Sequence, residues 1–166
     1  MLARLPEIAA EARAPIARRF LAAQGLADAD GLAAEVLAVL DDPAFAAAFG
    51  PGSRAEVSIV GRLERPGHLP ALVSGQIDRL LVTPHEVLIV DFKTGRPVAR
   101  ETEVPPLYAS QMALYRAAAR RIFPGRSVSC ALVWTEGPQL LALSPGFLDA
   151  ETIGIRARLD PGGGAS

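Results

Sequence analysis

A chain of 166 residues, half of them hydrophobic, suits one compact domain with a sizeable core and excludes wholesale disorder. Its formal net charge of −1 excludes a polycation that grips nucleic acid through bulk charge, so any such contact has to come from a local patch or a metal. The single cysteine, Cys130, excludes an intrachain disulfide framework, and no apolar run approaches the roughly 20 residues of a bilayer span. With no basic-then-apolar order at the N-terminus, the expected location is the cytoplasm.

In chain order, residues 6–25 carry Ile8, Ala12, Ile16 and Phe20 at four-residue spacing, an amphipathic helical pattern that Pro15 is expected to kink or split. A second helix, capped by Asp30, carries Leu32, Val36, Val39 and Leu40. A shorter one follows Asp42-Pro43 with Phe45 and Phe49, and Gly50-Pro-Gly-Ser53 ends the helical region. Strands are expected over 55–63, 72–82 and 86–93, the last two an antiparallel pair turned at Thr83-Pro84-His85. Pro105-Pro106 introduces a helix to about Phe123. Strands over 127–135 and 139–143 follow, then a short helix near 148–158 and a loose Gly-rich tail. The expected organisation is a helical segment (1–50) packed on a core (51–158), with a flexible tail (159–166), in a mixed α/β fold.

The chemistry concentrates in Gly75-Gln-Ile-Asp78-Arg and Leu88-Ile-Val-Asp91-Phe-Lys93-Thr-Gly95. Residues two apart on a strand share a face, so Asp91 and Lys93 point one way and Phe92 the other. Antiparallel pairing across the Pro84 turn brings Asp78 beside Asp91. Two carboxylates and an ammonium then meet at the end of an otherwise apolar hairpin. Of 17 basic residues 16 are Arg, and the place of the one lysine, Lys93, reflects either chance or a need for a compact point charge that a guanidinium cannot give. Such a set suits phosphodiester hydrolysis: the carboxylates hold Mg²⁺ or Mn²⁺, and the lysine offsets charge building on phosphorus. A bare Asp-x-Lys pair is common as solvated charge, and Asp78 could instead pair with Arg79. The combination, in apolar strands, is what distinguishes it.

The ordered motifs Gly75-x-Ile-Asp78-Arg, Ile89-Val-Asp91-Phe-Lys93-Thr-Gly95 and Tyr108-x-x-Gln111-x-x-x-Tyr115 resemble the RecB-type nucleases of the PD-(D/E)XK superfamily, over about 55–143. Within it they are most similar to the C-terminal nuclease domain of the bacterial AddA helicase–nucleases of double-strand-break repair. The resemblance implies a restriction-endonuclease-like mixed sheet flanked by helices. It implies metal held by Asp78, Asp91 and the main-chain carbonyl of Phe92, and a catalytic Lys93. Gln111 and Tyr115 would line the site, although by spacing alone Tyr115 reads as core and Gln111 as rim. Glu56 matches an acidic residue on the first strand and is either an outer neighbour of the metal or an exposed charge. His68 and His85 fall in turns and are expected to be solvated; Cys130 is expected to pack in the core, and Trp134 in the core or at its rim.

The implied activity is Mg²⁺- or Mn²⁺-dependent exonucleolytic hydrolysis of DNA, with single-stranded ends as substrate. The implied partners are a helicase portion of the same polypeptide and an AddB-like subunit. The family's upstream Gly-x-x-x-His-x-x-Leu motif, which supplies a histidine ligand, is missing, and no phosphate-binding loop of an ATP-driven motor occurs. The chain therefore reads as a fragment of a longer polypeptide or as one that lost this ligand, which makes weak metal binding and weak activity an expectation too. The alternatives are a catalytically silent module that binds DNA or a helicase partner, and another PD-(D/E)XK enzyme such as a restriction-type or junction-resolving endonuclease.

Overall fold

Apolar residues sort the chain into a sheet with helices on both faces. The computed structural model describes residues 5–25, 27–43, 46–50, 52–65, 67–136 and 139–159, without the side chain of Ala47. After a 3-10 turn at Leu5–Glu7 come α1 (Ala10–Ala23), α2 (Ala29–Asp41) and the one-turn α3 (Ala46–Phe49). Three strands follow, β1 (Ser53–Arg65), β2 (His68–Val82) and β3 (Glu86–Lys93). Then come α4 (Pro106–Ile122), β4 (Ser127–Trp134), β5 (Gln139–Leu143) and α5 (Pro145–Leu159). The sheet order is β1-β2-β3-β4-β5. β3 and β4 are parallel, joined over the sheet by α4, and the other neighbours are antiparallel.

The two faces bury different elements. On one, Ile59, Ile77, Ile89, Leu132 and Trp134 pack beneath α4 and α5 with Met112, Ala113 and Leu148. The buried row of α4 is rich in alanine, which lets its backbone lie close to the sheet. On the other face Val90, Ala131 and Val133 meet Leu5, Ala17, Leu21, Val39 and Leu40 of the N-terminal helices. Alternate residues of β3 serve the two sides, as the period of a strand requires.

The expected elements are present with altered bounds. β1 and β2 are longer than their apolar patterns, because the far end of their hairpin is held by the backbone ladder and leaves Val60, Leu69 and Leu72 exposed. α1 runs through Pro15 as one helix: a proline in its second turn removes one donor without breaking the later bonds. The cap of α2 is Asp28 rather than Asp30; its Oδ1 accepts from the Gly31 N–H at 2.9 Å, while Asp30 sits in the first turn. α5 is a full 15-residue helix, not a short one, anchored by Leu148 and Ile155. The expectations for Phe45 and for the Gly-rich tail lie outside the described residues. Among the described residues no helix is long and apolar enough to cross a membrane.

Candidate functional site

β2 and β3 pair from Val82↔Val87 to Arg79↔Val90, directed by a tight turn in which Thr83 N donates to Glu86 O at 2.8 Å. At the next step the two strands part. The Asp78 side chain takes the place of the ladder, its Oδ2 accepting from the Phe92 N–H at 2.8 Å. A carboxylate is thereby locked into the fork between two strands. An extended residue directs its N–H and C=O to the same edge, so the Phe92 carbonyl lies on the Asp78 side of β3.

This fork coincides with a break in the strand period. Ile77 packs beneath α4, yet Arg79, two residues on, reaches Ala48 and Phe49 on the opposite side, and Leu80 returns to the α4 core. Opposite Asp78, between the pairs Ala55↔Arg79 and Val57↔Ile77, stands Glu56 with a φ of +52°. A left-handed backbone costs a non-glycine residue about 1–2 kcal/mol, and here it accompanies the twist that aims Asp78 at β3. Glu56 itself is exposed, and its carbonyl accepts from Gln76 Nε2 at 3.4 Å.

Asp91 and Lys93 project toward α4, and Phe92 turns away to stack on Phe49 with ring centroids 6.0 Å apart. Lys93 Nζ and Asp91 Oδ2 form an ion pair whose side chains are only 10% and 4% exposed. The ammonium also donates to Gln111 Oε1 at 2.8 Å and sits 4.1 Å from the centroid of the Tyr108 ring. Gln111 Nε2 in turn donates to the Tyr115 hydroxyl at 3.2 Å. That hydroxyl donates to Gln76 O at 3.0 Å and accepts from Gln76 N at 3.2 Å. A chain of hydrogen bonds thus runs from the lysine through one face of α4 to the backbone of β2. Gly75 permits it, since a Cβ there would overlap the Tyr115 ring and hydroxyl. Just beyond Lys93, Gly95 turns the chain with a φ of +90°.

Burial raises the Asp91 carboxyl above its ordinary value; the hydrogen bond and charge of Lys93 pull it back, and the charge of Asp78 pushes it up again. A divalent cation beside the two carboxylates would relieve both the desolvation and the repulsion, and hard oxygen donors suit Mg²⁺ or Mn²⁺. The donor set of Asp78, Asp91 and the Phe92 carbonyl fits such an ion. Among the described residues no group of three or more His, Cys, Asp or Glu gathers to hold a metal, so Glu56 does not join these carboxylates in one cluster.

The structure therefore brings together Asp78, Asp91, Lys93, Gln111 and Tyr115. Tyr115 is a core residue, 5% exposed, whose hydroxyl belongs to the hydrogen-bond chain. His68 and His85 are exposed at the start of β2 and in the β2–β3 turn, while Cys130 and Trp134 are buried. Tyr108, whose ring lies beneath the Lys93 ammonium, has no role that its sequence context specifies. The three-residue spacing from Gln111 indicated its helix face, but nothing in a linear pattern indicates a ring beneath an ammonium.

The crystal structure of SSO0001 is 13% identical, with a TM-score of 0.38 over 75% of this chain. The chain spans 59% of the length of that structure, and a likeness this slight adds nothing to the geometry. No curated protein matches the chain. The family model of the PD-(D/E)XK nuclease superfamily matches residues 3–142, most of the sequence, including the N-terminal helices. The five-stranded mixed sheet flanked by helices is consistent with the restriction-endonuclease-like fold of that family. On its sequence and its architecture, the chain belongs to the PD-(D/E)XK nuclease superfamily.

Proposed function

We propose that this chain is a divalent-metal-dependent DNA nuclease domain that hydrolyses phosphodiester bonds at the β2–β3 fork. The observation that carries the reading is the convergence there of Asp78, Asp91 and an ammonium that Gln111 and Tyr108 hold in place. Asp78, Asp91 and the Phe92 carbonyl would hold Mg²⁺ or Mn²⁺. When bound, such an ion neutralises a phosphate oxygen and acidifies a coordinated water. Asp78 keeps its position because the Phe92 N–H fixes one of its oxygens. Lys93, released from Asp91 in part, presents its ammonium to the phosphate and offsets the charge that builds in the transition state. Gln111 keeps Lys93 from swinging away, and Tyr115 ties Gln111 to β2. Water adds to phosphorus, the bond to the 3′ oxygen breaks with protonation of that oxygen, and the products are a 5′-phosphate and a 3′-hydroxyl.

The finer reading is an exonuclease acting on single-stranded ends, the nuclease portion of an AddA-like helicase–nuclease with a helicase portion and an AddB-like subunit as partners. Its support is the order and spacing of the three motifs. End-labelled single-stranded DNA incubated with Mg²⁺ or Mn²⁺ is expected to be cut, and cutting is expected to vanish in Lys93→Ala. Equal cleavage by that variant would overturn the assignment of the site. A wild-type chain inert in both metals would favour the silent module.

A further inference from the structure

A second charged feature lies away from the fork. Leu63 and Glu64 of β1, the C-terminal half of α4 and the outer part of α5 enclose a cleft of about 460 Å³, with Arg62, Arg116, Arg120, Arg121 and Arg156 in its lining. Five guanidiniums face two carboxylates there, in a chain whose net charge is −1.

The carboxylates are already committed. Asp149 accepts from Arg116 Nη1 at 2.6 Å and also serves Arg120 at 3.6 Å, while Glu64 pairs with Arg121 at 2.7 Å. Arg116 is a scaffold residue, its Nε donating to Val128 O at 3.4 Å. Arg62 and Arg156 have no hydrogen-bond or ion-pair partner among the described residues, and the Nε of Arg156 is buried without an acceptor. The terminal nitrogens of Arg156 are not buried, and Arg62 is exposed, so both guanidiniums offer unpaired donors to a ligand in the cleft. A fork of guanidinium donors pairs bidentately with a carboxylate or a phosphate, and of the two a phosphate brings oxygens enough for two arginines at once.

Gln111 and Arg120 are nine residues apart on α4, two and a half turns, so the cleft lies on the far side of the helix from Lys93 and about 14 Å along it. It is distinct from the hydrolytic site. We infer that this cleft binds a phosphate group, held by Arg156 and Arg62 with Arg120 at its edge. The inference stands apart from the nuclease reading.

The test is made in EDTA, which keeps metal at the fork out of the measurement. Inorganic phosphate is expected to raise the Tm of the wild-type chain beyond the effect of chloride at matched ionic strength, and Lys93→Ala is expected to respond as the wild type does. Arg156→Gln with Arg62→Gln is expected to weaken phosphate binding at least tenfold. Ile153→Glu places a carboxylate in the cleft at a side chain that is 65% exposed; it is expected to do the same without removing a core contact. A phosphate response no larger than that of chloride, or one retained by Ile153→Glu, would overturn the inference. Anisotropy of a labelled oligonucleotide in the same buffer identifies the source. Weaker binding in the variants assigns the site to backbone phosphate, and unchanged binding with a lost inorganic-phosphate response assigns it to free phosphate.

Discussion

The two faces of the sheet each bury a cation, and they treat it in opposite ways. On the α4 face Lys93 is met by side chains: Asp91, Gln111 and the Tyr108 ring. On the α1–α3 face Arg79, 2% exposed, donates to the Ala48 carbonyl at 3.3 Å, lies 5.5 Å from the Phe49 ring and reaches Glu7 only at 4.0 Å. Burial lowers the Arg79 pKa, with Glu7 opposing it. Arg79 pins α3 onto β2. The partners of Lys93 are two polar side-chain ends and a ring, and they sit at the fork where β2 and β3 part. Under the proposed function the buried charge at the open fork serves chemistry, and the one beneath α3 is a fastening.

The comparison is broken most directly by exchanging the losses. Lys93→Ala or Asp91→Ala is expected to reduce DNA cleavage at least about 100-fold with the fold retained by circular dichroism. Arg79→Ala is expected to lower stability by about 2–4 kcal/mol in urea denaturation, through a cavity and the lost hydrogen bond to Ala48, whose carbonyl keeps the Ser53 hydroxyl as donor, while the folded fraction keeps its activity. Arg79→Met, which refills the volume, is expected to lose less. If Arg79→Ala were stable but inactive, Arg79 would belong to the site.

Next in size is the ring beneath the ammonium. Tyr108→Leu is expected to cut turnover about tenfold with little change in KM, while Tyr108→Phe retains most of it, because a face-on ring and not the hydroxyl contacts Lys93. Equal loss in both variants would move the role to the hydroxyl.

A smaller effect is the pH dependence of Asp91. Its raised folded pKa means that, as pH rises through the ordinary aspartate range, the unfolded chain ionises first and the metal-free fold loses stability until the folded pKa is passed. Urea denaturation in EDTA at pH values rising from the ordinary aspartate range is expected to show this loss, and Asp91→Asn to lack it. Metal binding selects the ionised form, so the Tm increase on adding Mg²⁺ is expected to grow with pH over the same window. A pH-independent increase would place the ion away from Asp91. The smallest effect concerns Glu56: Glu56→Gly is expected to gain up to about 1 kcal/mol by relieving its positive φ. A loss instead would show that the Glu56 side chain holds the fork.

Cys130 shows burial acting alone. Packed in the α4 core, its thiol is pushed up to about 12 by desolvation, with Arg116 opposing weakly, which leaves it an inert core residue. Asp91 differs because Lys93 counters part of the same cost.

Much of the fold was legible from local pattern. β3 was read with its observed bounds because apolar residues, a proline turn and Gly95 bracket it, and the α4 boundaries follow from Pro106 and the Pro124-Gly125 break. The caps and the strand ends were less legible. Asp28 and Asp30 are equivalent as letters, and only the helix geometry decides which carboxylate meets a free N–H.

By itself the sequence determined that Asp91 and Lys93 share a face, that Phe92 opposes them and that a hairpin carries Asp78 toward them, because the period of a strand and the chemistry of a turn are local. Only the tertiary structure decided that Asp78 caps the Phe92 N–H, that Gln111 and Tyr108 hold the ammonium, and that Arg79 leaves for the other side. Those facts rest on contacts between residues 14 to 31 positions apart and on one left-handed φ at Glu56, where the backbone departs from the regular alternation that a linear pattern encodes.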